Sequence, residues 1–126
     1  MTHPKPRVLV IDDEPDILWS LSLLLEPSYA VTTAESGAAA LRALDEIPFD
    51  AVLLDLMMPE MDGAAVKREM DTRGITTPVI IVSAFADVAE RAARLGVRHF
   101  LPKPIDIPRL EAVLAKLTDA ETATRL

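Results

Sequence analysis

The sequence contains no cysteine, and this absence excludes several kinds of chemistry at once. Without cysteine there is no disulfide framework, no thiolate metal site and no cysteine nucleophile. Basic residues are also scarce, 13 against 20 acidic ones, so that the formal net charge is -7. Because a nucleic-acid-binding surface has to neutralise phosphates, this balance argues against direct binding of nucleic acid by this chain.

Long hydrophobic runs are missing as well. The longest apolar stretches are too short to span a bilayer, so we expect no membrane association. The segment MTHPKPR is polar and leads directly into a strand-like run, which is unlike the apolar stretch of a signal peptide. Half of the 126 residues are hydrophobic, which is enough for the core of one compact domain. We therefore expect a single cytoplasmic domain.

Five short apolar runs alternate with five helix-like segments. Most of the runs are continuous rather than alternating, which is typical of parallel strands covered on both faces, and the order of the segments predicts an α/β fold. Ser36 and Asp106 are placed to cap the second and fifth helices. The predicted strands are Val8–Ile11, Tyr29–Thr33, Ala51–Leu54, Val79–Val82 and Arg98–Leu101, and the predicted helices are Pro15–Glu26, Gly37–Glu46, Ala64–Thr72, Asp87–Leu95 and Ile107–Leu117. We interpret residues 119–126 as a polar tail or the start of a linker.

Polar residues stand where four of these strands end. Asp12 and Asp13 follow the first strand, Asp55 the third and Ser83 the fourth, while Lys103 lies just beyond the fifth. In a parallel sheet such ends share one edge, which is where open α/β proteins bind ligands. For Asp55 to reach Asp12 and Asp13, the third strand has to lie beside the first. The sequence therefore predicts a doubly wound, five-stranded parallel sheet of order 2-1-3-4-5 with helices on both faces.

The residue types at this edge are suited to phosphoryl transfer. Crowded carboxylates repel one another, and a hard divalent cation with oxygen ligands relieves that repulsion, so Mg²⁺ is the natural cofactor. Lys103 and Ser83 are placed to hold the remaining oxygens of a phosphoryl group. Ser83 has no evident base beside it, which leaves a carboxylate as the best nucleophile. Asp55, alone at the end of the central strand, is our candidate.

Four segments, VIDDEP, LLDLMMPEMDG, IVSA and LPKP, resemble in sequence and order those of the receiver domains of two-component response regulators (CheY-like). The resemblance covers residues 6–118 and implies a flavodoxin-like fold. It implies that Asp55 is the phosphoacceptor in a phosphorelay. It also implies that Mg²⁺ is held by Asp12, Asp13, Asp55 and the backbone carbonyl of Met57.

The same resemblance assigns a switch. Lys103 contacts the phosphoryl group, and its peptide bond to Pro104 is typically cis in this family. Ser83 moves toward the phosphoryl group, and the aromatic side chain of Phe100 rotates after it. Phosphorylation then remodels the face formed by the fourth helix, the fifth strand and the fifth helix, through which a partner or a second copy of the chain would bind.

Two apolar side chains beside the pocket bear on how long the phosphoryl group stays. In this family, the residues corresponding to Met57 and Phe85 influence the rate at which the acyl phosphate is hydrolysed. Neither side chain is able to position an attacking water molecule. We therefore expect slow self-dephosphorylation.

The first helix suggests a surface for the phosphodonor, which the resemblance implies is a histidine kinase or a histidine phosphotransfer protein. Trp19 and Leu23 fall nearly opposite the side that we expect to be buried, and a tryptophan on a solvent face suggests a contact surface. The alternative is that both side chains pack on the tail. The side expected to be buried comprises Ile17, Leu21, Leu24 and Leu25.

Two other functions fit the sequence less well. A magnesium phosphatase with true turnover would need a second acid to protonate a leaving group, and Leu56 and Met57 are apolar. A phosphorylation-independent interaction domain usually has a degraded pocket, whereas every pocket position is filled here. Asp13 by itself could be a helix cap ahead of Pro15, and His3 and His99 lack the spaced partners of a metal site.

Overall fold

The computed structural model describes the backbone of residues 4–124 and the side chains of residues 4–118. Five strands alternate with five helices along the chain, as the sequence predicts. The elements are β1 (Arg7–Ile11), α1 (Pro15–Leu25), β2 (Ala30–Ala34), α2 (Gly37–Glu46), β3 (Ala51–Asp55), α3 (Gly63–Thr72), β4 (Val79–Ser83), α4 (Val88–Arg94), β5 (His99–Pro102) and α5 (Ile107–Thr124).

The five strands form one parallel sheet in the order β2-β1-β3-β4-β5. This confirms the predicted doubly wound, flavodoxin-like topology. β1 lies beside β3 with Ile11 opposite Leu54, so the two strands end at the same level. β3 lies beside β4 with Asp55 opposite Val82. The carboxyl ends of the three central strands therefore meet at one edge of the sheet.

Both faces of the sheet are covered, because alternate residues of each strand point to opposite sides. Leu9, Val52, Leu54 and Ile81 face α2, α3 and α4 and form one core cluster with them. The strand residues that alternate with these face α1 and α5, among them Val10, Leu53, Ile80 and Leu101. This two-sided burial explains why the strands read as continuous apolar runs.

The predicted helix caps are present. The Ser36 Oγ accepts a hydrogen bond from the Ala39 amide at 3.1 Å, and the Asp106 Oδ1 accepts one from the Arg109 amide at 3.3 Å. α5 is longer than predicted, because it continues to Thr124 instead of ending near Leu117. Residues 125 and 126 of the predicted tail, like His3, lie outside the described residues.

Helix α1 packs on a face that differs in part from the predicted one. Leu18, Leu21 and Leu25 are its buried residues, and Ile17 packs beside them. Leu24, which we expected to be buried, is 49% exposed. Leu18 is buried in its place. The residues that face the sheet are spaced at i, i+3 and i+7 from Leu18, and not from Ile17. Within residues 4–124, no helix is long and apolar enough to cross a membrane.

Candidate functional site: an acidic sheet edge

Three carboxylates meet at the carboxyl edge of the sheet. Asp55 is the last residue of β3, and Asp12 and Asp13 follow β1 directly. One oxygen from each of the three lies within 4.8 Å of the others. Asp12 and Asp55 are each only 3% exposed, and Asp13 is half-buried. The fold therefore brings these three residues together, as the sequence predicts.

A single ammonium group is set between two of the carboxylates. Lys103 follows β5, and its Nζ lies 3.1 Å from the Asp12 Oδ2 and 3.4 Å from the Asp55 Oδ2. Its backbone amide donates to the carbonyl oxygen of Ser83 at 2.9 Å, which fixes the start of the β5–α5 loop against the end of β4. The lysine thereby compensates part of the negative charge at the edge.

Backbone amides supply the other hydrogen bonds to the buried carboxylates. The Glu14 amide donates to the Asp12 Oδ1 at 2.9 Å, and the Met57 amide donates to the Asp55 Oδ1 at 3.1 Å. Each is a bond from the amide two residues on, the local pattern that aspartate favours in turns. The N-cap of α1 is Glu14, so Asp13 is not the cap that the alternative interpretation required.

The protonation of Asp55 reflects a balance of opposing effects. Burial raises the pKa of the Asp55 carboxyl above its ordinary value of 3.8, and the negative charge of Asp12 raises it further, against the lowering effect of the Met57 amide and of Lys103. Burial by itself would lower the pKa of Lys103, but the hydrogen bond to Asp12 and the charges of Asp55 and Asp12 outweigh it and raise that pKa. Lys103 is therefore charged at neutral pH.

The cluster has the donor set of a site for a hard divalent cation. All its side-chain ligands are carboxylate oxygens, and two of the three carboxylates are buried beside a single ammonium group. Such ligands suit Mg²⁺, which binds proteins through one or a few carboxylates and keeps several waters. Burial and the charge of Asp12 raise the pKa of Asp55, and a bound cation would offset both effects by stabilising the carboxylate. The site is thus able to hold a metal ion.

The remaining predicted residues surround this cluster. Ser83 ends β4 and is fully buried, and its Oγ accepts a hydrogen bond from the Phe85 amide at 3.0 Å. Phe100 lies in β5 opposite Ile81 and is half-buried against the core cluster on the α2 side. The peptide bond between Lys103 and Pro104 is cis, the isomer that the resemblance implied.

The methionines of the β3–α3 loop differ in their surroundings. Met58 is buried in the core, whereas Met57 is 48% exposed beside Asp55. Met61 packs near Gly37. Among the described residues, His99 belongs to no cluster of histidine and carboxylate side chains that could hold a metal ion.

The exposure of the two α1 residues agrees with the sequence pattern. Trp19 is 68% exposed and Leu23 is 52% exposed. Among the residues whose side chains are described, both have large apolar side chains in contact with solvent.

Two features of the site were not predicted. A Cβ atom on Gly63 would lie 2.3 Å from the Asp55 carbonyl oxygen and 2.8 Å from the Leu56 Cα, so only glycine allows α3 to start this close to the strand end. The Arg91 guanidinium of α4 lies over the ring of Phe85, 3.8 Å from its centroid. The spacing of Asp87 and Arg91, four residues apart, was the available signal for the ion pair that holds this arginine.

Comparison with known proteins agrees with this geometry. Residues 8–115 match the model of the response regulator receiver domain. The chain is 38% identical to the transcriptional regulatory protein ZraR of Escherichia coli K12 over 97% of its own length and 30% of that protein. It is 42% identical to the transcriptional regulatory protein KdpE of Mycobacterium tuberculosis H37Rv over 92% of its length and 52% of that protein. The chain thus spans about a third to a half of the length of these curated relatives.

A solved structure provides the third comparison. The response regulator TrrA of Thermotoga maritima, in complex with Mg²⁺ and BeF, superposes with a TM-score of 0.79 at 29% identity, covering 89% of this chain and 98% of that one. Sequence family, fold and acidic edge agree, and on this basis the chain belongs to the family of response regulator receiver domains.

Proposed function

We propose that this chain is a phosphoacceptor module whose Asp55 takes a phosphoryl group from a histidine kinase or a histidine phosphotransfer protein. The observation that carries the proposal is the setting of Asp55. Its carboxylate is buried at the end of the central strand, with an ammonium group 3.4 Å away and two further carboxylates within 4.8 Å. Membership of the receiver family supports the same class of reaction.

In the proposed step, a carboxylate oxygen of Asp55 attacks the phosphorus atom while the bond between phosphorus and the imidazole nitrogen of the donor breaks. The products are an acyl phosphate on Asp55 and a free histidine on the donor. Such transfers rely on positioning and on compensation of charge. Lys103 is held within reach of the nucleophile by its bonds to Asp12 and Asp55, which places its positive charge where the phosphoryl oxygens arrive.

Mg²⁺ is the proposed cofactor, held by Asp12, Asp13, Asp55 and the backbone carbonyl of Met57. The three clustered carboxylates support the first three ligands. The fourth is supported by the tight turn after β3, in which the Met57 amide already bonds to Asp55. When bound, the cation supplies compensation for the charge of the phosphoryl oxygens.

The proposed switch runs from Ser83 to Phe100. Phosphorylation draws the Ser83 hydroxyl toward the phosphoryl group, which removes the acceptor of the Phe85 amide, and the Phe100 ring then rotates. The adjacency of β4 and β5 supports this coupling, since Ser83 pairs with Pro102 and the Lys103 amide bonds to the Ser83 carbonyl. The α4-β5-α5 face would then bind a partner or form a homodimer to control an output in the cytoplasm.

Trp19 and Leu23 of α1 are the proposed contact with the phosphodonor. Their exposure supports a docking role, because exposing large apolar side chains to water is unfavourable and a bound partner would bury them. Transfer to Trp19→Ala from a phosphorylated kinase or phosphotransfer protein that serves the wild type should be reduced. Phosphorylation by acetyl phosphate, which needs no docking, should be unchanged.

Arg42→Ala on α2, on the opposite face of the sheet, is the matched control. Transfer to Trp19→Ala at the wild-type rate would refute the docking role.

The phosphoacceptor function itself is tested by intact-mass analysis after incubation with Mg²⁺ and acetyl phosphate. The carboxylate of Asp55 displaces acetate, so the expected result is the mass of one added phosphoryl group on the wild type. We expect no adduct on Asp55→Asn or in the presence of a chelator. Folded wild type that gains no phosphoryl group would contradict the proposal and favour a phosphorylation-independent interaction module, whereas continuous turnover of phosphate esters would favour a phosphatase.

A further inference from the structure

The side chain of Arg91 on α4 is held by two contacts. The Arg91 guanidinium lies 3.8 Å from the centroid of the Phe85 ring, and its Nε donates to the Asp87 Oδ1 at 2.7 Å. A guanidinium over a ring face is attracted by the ring quadrupole, and Arg adds planar stacking to this attraction. The ion pair fixes the guanidinium, and the guanidinium in turn restrains the ring.

Phe85 is the aromatic residue that this restraint places next to the phosphoacceptor strand. Its amide bonds to the Ser83 Oγ at 3.0 Å, so its backbone is fixed to the end of β4. Its ring is half-buried against the core. Phe85 and Arg91 line a groove of about 520 Å³ together with Leu56 and Met57, the two residues that follow Asp55. The ring therefore lies beside the first two residues of the β3–α3 loop.

The Asp87 carboxylate pairs with Arg91 and does not cap α4. Asp87 occupies the N-cap of α4, yet its carboxylate makes no capping hydrogen bond and is used by Arg91. The bond from Arg91 lowers the pKa of the Asp87 carboxyl, so the pair is intact at neutral pH. The next pair on the same helix, Arg94 and Glu90, is longer at 3.9 Å and more exposed.

We propose that Arg91 is a positioning residue that holds the Phe85 ring beside the loop that follows Asp55 and thereby lengthens the lifetime of the aspartyl phosphate; this inference rests on the proposed function. In the hydrolysis that ends the signal, the oxygen of a water molecule attacks phosphorus and the bond to the Asp55 oxygen breaks. A free carboxylate and inorganic phosphate result. A restrained apolar ring keeps water away from this approach, and a ring without its cation moves more freely and admits water.

The test measures the rate at which the phosphorylated protein loses its phosphoryl group after acetyl phosphate is removed, by intact mass over time. Arg91→Met keeps the length of the side chain without its charge, and we expect hydrolysis about two- to fivefold faster than in the wild type, the size of a partly exposed cation–π contact expressed as a rate ratio. Arg91→Lys keeps a cation and should retain most of the wild-type lifetime. Arg94→Met, with its own i,i+4 acid, is the matched control and should decay as the wild type does.

A double-substitution cycle separates positioning from a general effect on α4. In Phe85→Leu, which keeps an apolar side chain but has no ring face, Arg91→Met should have no further effect on the decay rate. An unchanged lifetime in Arg91→Met, or an equal effect in the Phe85→Leu background, would overturn the inference while leaving Asp55 as the phosphoacceptor. A wild type that acquires no phosphoryl group would overturn the proposed function together with the inference.

Discussion

Asp55 is a buried carboxylate that faces a second one, Asp12, and is only partly compensated by Lys103. The hydrogen bonds at the site satisfy its oxygens, but burial and like charge still raise the pKa of Asp55. A residue held in this way is less stable as an anion than it would be in water. Because the Asp55 anion is poorly stabilised by the protein, binding of a cation or transfer of a phosphoryl group to it relieves an unfavourable charge.

Replacing Asp55 by asparagine should therefore stabilise the protein in the absence of metal. Because the pKa of the folded acid is raised, the folded state binds more protons than the unfolded state between pH 3.8 and the raised value, and stability falls as the pH rises through that window. We expect Asp55→Asn to gain on the order of 1 kcal/mol at pH 7, because the amide carries no charge to be desolvated or repelled by Asp12, and Lys103 keeps its bond to Asp12. The gain should shrink toward pH 4. Thermal unfolding with a chelator at both pH values measures it, with Glu111→Gln on the exposed surface of α5 as the control.

A loss of stability in Asp55→Asn at pH 7, or a gain that is the same at both pH values, would show that the charge balance at this edge is not as described.

Removing the ammonium group should have the opposite effect. Lys103→Met preserves much of the side-chain volume but leaves the Asp12 and Asp55 carboxylates without their only cation among the described residues. We expect a loss of about 1–3 kcal/mol in the free energy of unfolding, the cost of leaving buried charged acceptors unpartnered. Urea unfolding in the presence of a chelator gives the value, and Lys116→Met on the exposed surface of α5 is the control. Equal stability of Lys103→Met and the wild type would mean that the lysine contributes nothing to the resting site.

At the scale of the elements, the site depends on how closely a helix approaches a strand end. α3 begins at Gly63, whose amide bonds to the Leu56 carbonyl at 3.2 Å, and the contact leaves no room for a side chain. The atoms that a Cβ would meet belong to the backbone, so they cannot move aside as a flexible side chain would. The position of the nucleophile and the start of α3 are therefore linked.

Gly63→Ala should consequently destabilise the fold more than a substitution at a glycine that has open space around it. We expect a cost of about 1–3 kcal/mol from overpacking, or more if β3 has to shift. Gly74→Ala is the comparison, because a Cβ there meets nothing within 4 Å and only its φ of 71° opposes the change, at about 1 kcal/mol. Urea unfolding of both variants checks the ranking, and a smaller loss for Gly63→Ala than for Gly74→Ala would contradict it.

Much of this element structure follows from the sequence for identifiable reasons. Continuous apolar runs ending in Asp12, Asp55 and Ser83 specify strands buried on both faces, and burial on both faces permits only a narrow set of topologies. The predictions that were wrong concern packing between elements. The rotation of α1 that buries Leu18 and exposes Leu24 is set by contacts with the sheet, and the apolar periodicity of that helix fits both rotations.

The stacking of Arg91 on Phe85 escaped sequence reasoning for a related reason. It depends on the distance between the β4–α4 loop and α4, which neither residue type specifies. The continuation of α5 beyond Leu117 was missed because its polar residues carry no apolar period.

For the molecule as a whole, the distribution of charge is organised around one edge. The chain has a formal net charge of -7. Three of its carboxylates lie together at the carboxyl ends of neighbouring strands of the sheet. A cation bound there acts on the whole fold, since anything that binds the folded state alone stabilises it.

Mg²⁺ should therefore raise the melting temperature in a saturable manner. At about tenfold above its dissociation constant the stabilisation is about 1.4 kcal/mol, which corresponds to a shift of a few degrees for a domain of this size. Asp13→Asn should reduce the shift, whereas Glu111→Gln should retain it. Differential scanning fluorimetry against NaCl of matched ionic strength measures the effect. An equal shift with both salts would indicate screening rather than a site.

The location of the phosphoryl group is the most direct evidence on what the molecule does. After phosphorylation with acetyl phosphate and Mg²⁺, hydride reduction traps the acyl phosphate, and peptide mass spectrometry identifies the modified residue. We predict modification at Asp55 alone, within the peptide that contains LLDLMM, and none in Asp55→Asn. Modification at Asp12 or Asp13 instead, or no modification of folded protein, would contradict the assignment of Asp55 as the phosphoacceptor.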